Sequence, residues 1–240
     1  MTDDTRSKKT ICLEDLRRQI LTQAIEPGSY LDETDIADAY QVSRPPLREV
    51  LRQLAGEGYV VIHENRGAQV APMNHKTLRN FFIAAPMIYA SVSRLAAEHA
   101  TVAQIMRLKD TQLLFRAAIR DGDTAQRALM NERFHALIGE MADNEFLMPS
   151  LRRLLIDHTR IAMTFYNPRH RGLADQRAIA ADQHDDFIAL IEAGDADASV
   201  CLAIAHWELS RAEIESFATP IGITAALGNP PGAQDIRGTS

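Results

Sequence analysis

The stretch QVSRPPLREVLRQL, residues 41–54, places two prolines directly in front of a helical pattern of apolar residues. Proline is well tolerated in the first turn of a helix, where the N–H groups have no intrahelical partner. The sequence therefore predicts a helix that begins near Ser43 or Arg44, with Ser43 as its N-cap. The apolar positions follow the i, i+3, i+4, i+7 spacing of one helix face, and they are Leu47, Val50, Leu51 and Leu54.

Arginines recur at every fourth position of this helix, at Arg44, Arg48 and Arg52. Arginine can form two hydrogen bonds with a guanine edge, or it can clamp a phosphate. Arg44 lies at the tip and suits a base contact, and Arg48 follows one turn later on nearly the same side. Arg52 has rotated away and suits a phosphate contact, or a salt bridge to Glu49 or Glu57. A solvated arginine and glutamate face is the alternative interpretation of the spacing.

The flanking sequence favours nucleic-acid binding over that alternative. A short helix, a tight turn and a second helix that carries arginines make a helix-turn-helix, whose second helix enters the major groove. The polar tip HENRG contains Arg66 and Gly67, and such a hairpin can lie along the minor groove. The flanking patterns are two helices at residues 12–25 and 32–40, and two β-rich runs at residues 59–62 and 68–70.

The remainder of the chain shows only helical patterns up to about residue 217, separated by short breakers. Short connections place consecutive helices antiparallel, as in a bundle. The sequence therefore predicts a mainly α fold. It consists of a winged helix-turn-helix of three helices and a hairpin at residues 10–72, an antiparallel bundle of about six helices at residues 77–218, and a disordered Gly- and Pro-rich tail at residues 219–240.

Bulk properties narrow the class of protein. The net charge is −6, so basic surface must be local rather than general. Cys12 and Cys201 lack metal or redox spacing, which favours free thiols in a reducing compartment. No apolar run reaches the ~20 residues of a membrane span, and the polar N-terminus does not resemble a signal peptide. We expect a cytoplasmic protein without a membrane partner.

Residues 13–70 resemble the winged helix-turn-helix of the GntR family of bacterial transcription regulators. The resemblance rests on VSR.PLREVLRQL..EGYV and on NRGAQV. Pro45, beside Pro46, stands where the family usually has a threonine or serine, so a hydroxyl that could contact DNA is missing. The resemblance implies binding to a double-stranded DNA operator through Ser43, Arg44, Pro46, Arg48, Arg66 and Gly67.

Four polar residues in the helical region are candidates for a metal site. Asn131 and His135 lie one turn apart on one helix, and antiparallel packing can bring His184 and His206 to the same depth in the bundle. Three imidazoles and one oxygen would suit Zn²⁺, Ni²⁺ or Mn²⁺. Taken singly, a histidine is more often a surface or core residue, and we interpret the others in that way: His63, His75, His99, His158 and His170.

Residues 78–217 resemble the FCD domain, the helical effector-binding module of the FadR subfamily of GntR regulators. The family often binds metal through an aspartate and three histidines, which correspond to Asn131, His135, His184 and His206. The amide of Asn131 is a weaker ligand than a carboxylate, so one expectation is a lower metal affinity that leaves a metal-free polar pocket; the alternative is that metal still binds. A site without that carboxylate keeps the full charge of the ion and favours an anionic effector, such as a carboxylate.

The first helix of this region differs from the family at the effector pocket. Ala85, Pro86 and Tyr89 stand about where arginine and glutamate are usual, so the pocket wall is expected to be apolar, with Tyr89 as its polar group. A kinked core helix without a ligand role is the alternative. Arg160 and Tyr166 are further candidates for contact with an anionic effector.

The combined prediction is a homodimeric, effector-responsive transcription regulator, expected to be a repressor rather than an enzyme. A metal-dependent hydrolytic enzyme that uses the histidine cluster is the first alternative, because a site with an open position can activate water. Glu132 and Asp185 neighbour ligands in sequence, but each points about 100° away from its helix face. A DNA-architectural protein with a purely structural bundle is the second alternative.

Overall fold

A computed structural model describes residues 7–165 and 174–218. Within these residues the chain is mainly α-helical, with a single β-hairpin, which confirms the predicted winged helix-turn-helix followed by a helical bundle. The predicted disordered tail lies outside the described residues. The elements are α1 Lys8–Leu21, α2 Glu33–Tyr40, α3 Arg44–Glu57, β1 Val60–His63, β2 Gly67–Val70, α4 His75–His99, α5 Val102–Asp121, α6 Thr124–Met141, α7 Leu147–Phe165, α8 Ala174–Ala193 and α9 Ala196–Ala218.

The N-terminal unit packs α1, α3 and the hairpin around one apolar core. All four apolar positions predicted on α3 are buried, and burial of each such side chain stabilises the fold by ~1.5–3 kcal/mol. Strands β1 and β2 pair antiparallel, with Val60 opposite Val70 and His63 opposite Gly67. Gly67 has a φ of +78°, a conformation that glycine adopts without strain, so the chain can turn back sharply after Arg66.

Helix α3 begins at Arg44 with Ser43 at the N-cap position, as predicted, but the Ser43 side chain makes no capping hydrogen bond. A capping hydroxyl accepts a hydrogen bond from the N–H of the second or third helical residue. Those residues are Pro45 and Pro46, which have no N–H. The Ser43 hydroxyl therefore has no role in capping the helix, and its side chain is exposed.

Helix α4 lies at the centre of the second unit and contacts α6, α7, α8 and α9. It begins at His75, two residues earlier than predicted, because Asn74 accepts a hydrogen bond from the Thr77 N–H and caps it. Among the described residues, no helix is long and apolar enough to cross a membrane. The bundle buries an unusual set of polar side chains beside its apolar core: Gln112, Arg127, His135, Asp157, His158, Thr159, Arg160, His184 and His206.

Helix α7 joins the two units. It contacts α1 of the winged unit, and the fully buried Arg160 donates from Nη1 to the carbonyl oxygen of Ala71, at 2.6 Å. Arg160 also pairs with Asp157, and Gln23 donates to the Arg160 carbonyl oxygen. The segment that leaves the wing is therefore fixed directly to a helix of the bundle.

Candidate functional site

The proposed DNA-facing residues form an exposed, positively charged edge of the winged unit. Ser43, Arg44, Arg48 and Arg52 are exposed on α3, and Arg66 is exposed at the tip of the hairpin. Within the described part of the chain, none of these four arginines has a carboxylate within 4.0 Å. Such unpaired guanidinium groups are available to phosphates and base edges.

The alternative salt bridges that we considered for Arg52 are not formed. Glu49 pairs instead with Lys9, with 2.6 Å between the charged atoms, and Glu57 pairs with Arg17. Both carboxylates are thus directed to α1. Arg52 keeps its charge on the outer face of α3, a position compatible with the phosphate contact that the sequence suggests.

Three of the four predicted metal ligands meet inside the bundle. His135 lies on α6, His184 on α8 and His206 on α9, and their ligand atoms all lie within 4.8 Å of one another. The ring centroid of His135 is 5.3 Å from each of the other two rings, which are 5.1 Å apart. All three side chains are buried. The antiparallel packing of α6, α8 and α9 produces this arrangement.

Glutamine side chains set the orientation of two of these imidazoles. Gln112 donates through Nε2 to the Ala181 carbonyl oxygen, so its Oε1 faces His184 Nδ1, 3.1 Å away. Gln183 Oε1 lies 2.8 Å from His206 Nδ1. Each amide oxygen accepts from an Nδ1–H, which leaves the Nε2 lone pair of each ring available. This is the tautomer that a metal ligand requires.

The imidazole nitrogens are poorly satisfied without an ion. Nε2 of His135 and Nε2 of His184 are buried and have no hydrogen-bond partner among the described residues. Buried polar atoms are almost always paired, and an unpaired one costs ~1–3 kcal/mol. A divalent ion among the three rings would accept both lone pairs, so the residues present fit a metal.

Burial keeps these histidines uncharged. Desolvation holds the pKa of His135 and the pKa of His184 well below the usual value, and neighbouring imidazoles lower both further. The same desolvation lowers the pKa of His206 to about 3, with a smaller contribution from His158. Neutral imidazole is the form that binds metal, so the cluster is in its ligating form at neutral pH.

Asn131, the fourth predicted ligand, lies one turn before His135 on α6 and is half-buried. In the described residues, the group of histidine, cysteine and carboxylate ligands at this place consists of the three histidines. No carboxylate takes the position that the family usually gives to aspartate.

A narrow cavity adjoins the cluster. Its free volume is about 10 Å³, close to what one water molecule requires. Tyr89, a candidate from the sequence for the polar group of an effector pocket, lines it. His158, which the sequence indicates only as a surface or core residue, lines it too. The Tyr89 hydroxyl lies 2.8 Å from His158 Nδ1. The lining residues are Tyr89, Ser93, His135, His158, Phe187, Ala203, His206 and Trp207.

Arg160, the other described candidate for effector contact, lies elsewhere. Arg160 does not line this cavity, because its guanidinium is directed to Ala71 and Asp157 at the junction of the two units. Tyr166 lies outside the described residues. Glu132 lines a cleft between the units, and Asp185 pairs with Arg116.

Comparisons with known proteins agree with this architecture. Residues 12–70 match the family described as "Bacterial regulatory proteins, gntR family", and residues 87–209 match the FCD domain. The HTH-type transcriptional repressor RspR of Escherichia coli K12 is 26% identical over 183 residues, which cover 76% of this chain and 78% of RspR. The Nta operon transcriptional regulator of Aminobacter aminovorans is 29% identical over 128 residues, 53% of this chain and 60% of that protein.

Solved structures share the fold. E. coli McbR/YncC superposes with a TM-score of 0.75 at 17% identity, covering 89% of this chain and 100% of the other. A GntR regulator from Rhodococcus sp. RHA1 gives a TM-score of 0.68 at 18% identity, covering 90% of this chain and 100% of the other. The FCD match covers half of the sequence, and the gntR match covers the unit with the exposed arginine edge. The chain therefore belongs to the GntR family as a DNA-binding transcription regulator of the FadR type, with an FCD effector domain.

Proposed function

We propose that the chain is a cytoplasmic, homodimeric repressor whose operator affinity is controlled by a small organic acid bound at a divalent metal ion. Residues 10–72 would bind DNA, and residues 77–218 would bind the effector and hold the dimer together. The observation that carries this proposal is the buried cluster of His135, His184 and His206, with ligand atoms within 4.8 Å of one another. RspR, a relative over most of the chain, is named a repressor.

Operator recognition is assigned to the tip of α3 and to the wing. Arg44 and Arg48 would contact base edges in the major groove, while Arg52 would bind phosphate. Arg66 and Gly67 at the wing tip would lie along the minor groove. Pro45 and Pro46 remove two of the amide donors that a helix N-terminus usually offers to phosphate, so phosphate contacts at this end of α3 depend more on side chains. Ser43, released from capping, is one of them.

The effector site combines an ion with apolar walls. His135, His184 and His206 would hold Zn²⁺, Ni²⁺ or Mn²⁺, with Asn131 as a weak fourth ligand at most. The bound ion would supply positive charge that attracts a carboxylate. Since the three imidazoles are neutral, they do not offset that charge. Phe187 and Trp207 would then contact the apolar part of the acid.

Helix α7 is suited to transmit the signal. It carries His158 at the cavity and Arg160 at the carbonyl oxygen of Ala71, two residues apart. An acid larger than water would fit the cavity only after side chains or helices of its lining move, and α7 is one of these helices. A shift of α7 would change the position of the segment that follows the wing. The effector would therefore bind the protein with α7 shifted and the protein with α7 unshifted with different affinities. Such unequal binding is the condition for control of operator affinity.

A second copy of the chain is assigned to the outer face of α5. Met106, Leu113 and Leu114 are 53%, 67% and 53% exposed on one stripe of this helix, whose opposite side packs against α6 and α8. Exposed apolar stripes of this kind mark protein interfaces, and a twofold pairing would align two winged units with a palindromic operator.

Leu113→Glu should yield monomers in sedimentation velocity. Ile83→Glu, at a similarly exposed position on α4, should remain dimeric. Dimers in both variants would reject the α5 interface.

We assign no enzymatic activity to the chain. Among the described residues that line the cavity there is no carboxylate to act as general base. Glu132 and Asp185, the carboxylates nearest in sequence to the ligands, are directed elsewhere. Turnover of an ester or amide by the metal-loaded protein, lost in His135→Ala, would instead favour the hydrolytic alternative.

Metal content tests the proposal. Protein purified without chelators or a histidine tag should contain about one equivalent of a divalent metal per chain by elemental analysis. The double variant His135→Ala/His184→Ala should contain none, because one imidazole cannot hold the ion. The matched control His63→Ala/His99→Ala removes two histidines outside the cluster and should retain the metal.

Operator binding provides the second readout. DNA fragments selected from a random pool by the wild-type protein serve as the operator. Metal-loaded wild type should release this DNA when a carboxylate library is added, and the double variant should not respond. If metal-free wild type released the DNA in response to the library as the metal-loaded protein does, the metal site would be disproved and the regulator assignment would stay intact.

A further inference from the structure

The cavity contains a hydrogen-bonded pair that the metal site does not use. Tyr89 on α4 and His158 on α7 are 7% and 6% exposed, and Oη of the tyrosine lies 2.8 Å from Nδ1 of the imidazole. Burial disfavours the charged form of each side chain, so a neutral phenol faces a neutral imidazole.

A neutral phenol and a neutral imidazole contribute two acidic hydrogens, and one hydrogen bond between them uses only one. If Tyr89 donates to Nδ1, the proton of His158 sits on Nε2 and has no acceptor in the described part of the chain. If Nδ1–H donates to Tyr89, the phenolic hydrogen has none. Either arrangement leaves one N–H or O–H donor of the pair, in the lining of the cavity, without an acceptor among the described residues. Such a donor is available to a ligand that supplies an acceptor.

The remaining lining contains no side-chain cation. Within the described residues the other groups are the imidazoles of the cluster, the Ser93 hydroxyl, and apolar or aromatic side chains such as Phe187 and Trp207. A second carboxylate on a ligand would therefore have no positive partner besides the ion. One carboxylate, by contrast, has two oxygens, and the site offers a partner for each: the ion for one oxygen and the donor of the Tyr89–His158 pair for the other.

We propose that the Tyr89–His158 pair is the specificity-determining donor of the effector site, and that it selects an acid with one carboxylate and an apolar body. One carboxylate oxygen would lie on the metal held by the three histidines, and the other would accept a hydrogen bond from the pair. The inference rests on the metal site of the proposed function. His158 acts here as a donor to the ligand and not as a metal ligand, since it does not belong to the group of ligand atoms that lie within 4.8 Å of one another.

Cobalt(II) and acetate are the probes that test this assignment. The chain has one tryptophan, Trp207, whose indole lines the cavity, so quenching of its fluorescence by Co²⁺ measures metal affinity. The visible absorption of bound Co²⁺ then reports acetate binding. In His158→Phe, acetate affinity should fall about tenfold, the typical effect of one lost hydrogen bond to a charged group. The affinity for Co²⁺ should stay within threefold of wild type.

Two further variants complete the experiment. Tyr89→Phe keeps the ring but removes the hydroxyl, so the imidazole loses its fixed orientation and acetate should bind a few-fold more weakly. His99→Phe makes the same substitution as His158→Phe outside the cavity and should change neither affinity. Tyr89→Phe also serves as the test if His158→Phe does not fold.

The outcomes separate this proposal from the proposed function. Equal acetate affinity in wild type, His158→Phe and Tyr89→Phe, with Co²⁺ bound, would overturn the donor role and leave the metal site intact. A tenfold loss of Co²⁺ affinity in His158→Phe would make His158 a metal ligand instead. Absence of Co²⁺ binding to wild type would overturn the metal site, and the donor role with it.

Discussion

The winged unit and the helical unit arrange their polar residues in opposite ways. The winged unit buries apolar side chains, and the arginines of α3 and the wing tip are exposed and form no ion pair within the described residues. The helical unit places its important polar groups inside, where histidines, glutamines and a tyrosine satisfy one another only in part. A surface that reads DNA needs exposed charge, whereas a site that senses a small molecule needs buried groups that lack a partner until the ligand arrives.

Loss of an exposed arginine gives the largest expected effect and tests the first half of this comparison. Arg44→Ala should weaken operator binding by ~2–6 kcal/mol, at least about 30-fold, since each half-site loses a contact of ~1–3 kcal/mol. The thermal midpoint should stay unchanged because Arg44 has no partner to lose in the described structure. Fluorescence anisotropy with labelled operator measures the affinity, with Arg120→Ala as an exposed control outside the winged unit. Retained affinity in Arg44→Ala would remove the assignment of α3 as the recognition helix.

A buried arginine at the junction should behave in the opposite way. Arg160→Met retains most of the volume but removes the hydrogen bond to Ala71 and the pair with Asp157, so unfolding should become easier by ~2–3 kcal/mol. The response of operator affinity to metal and effector should also weaken, because the wing is no longer fixed to α7.

Arg153→Met is the matched control for that experiment, since it removes a half-exposed pair with Asp157 and should cost less than ~1 kcal/mol. Urea denaturation gives the stabilities, and operator titration with and without metal gives the coupling. If Arg160→Met were as stable and as responsive as wild type, the junction would contribute neither to stability nor to the coupling between effector and operator binding.

Acid should destabilise the helical unit through its buried histidines. The unfolded chain binds protons below pH ~6.5, whereas the pKa of His158 is about 4 and that of His206 about 3 in the fold. The contribution of these neutral histidines to the free energy of unfolding is therefore fully present above pH 6.5. It decreases as the pH falls, by up to ~1.4 kcal/mol per pH unit for each such histidine. Urea denaturation of metal-free protein between pH 7 and pH 5 measures the slope. His158→Phe should reduce the slope of the free energy of unfolding against pH, and His63→Phe should not. A free energy of unfolding in wild type that does not change with pH would contradict neutral, buried histidines.

The sequence predicts the winged unit well because its signals are local. The apolar spacing of α3, the prolines at its first turn and the Gly67 turn each depend on neighbours within a few residues. Two local predictions fail. The Ser43 side chain does not cap α3, because its usual donors belong to prolines. The first helix is Lys8–Leu21 rather than residues 12–25, because Ser7 caps it. In the helical unit, the helices follow from periodicity, but the site depends on tertiary contacts that periodicity does not contain.

His158 and Arg160 illustrate that limit. His158 acquires its significance from Tyr89, 69 residues away, and no spacing rule links them. Arg160 is predicted to contact the effector, yet it binds a backbone oxygen at the junction, a contact that depends on how the two units pack. One local signal was available: Asp157, His158, Thr159 and Arg160 are consecutive in a helix whose neighbours are mostly apolar, and all four are buried.

The size of the cavity sets the range in which such a sensor can work. With about 10 Å³ free, the proposed site would have to widen before it admits a carbon acid, and part of the ligand's intrinsic affinity would be spent on that change. The apparent dissociation constant is raised by the rarity of the open form. Under the proposed function, sensitivity and switching amplitude would be opposed, because a resting cavity that is more open would bind the acid at lower concentrations and respond less. Under the proposed function, such a regulator would respond to the accumulation of a metabolite and not to trace amounts of it.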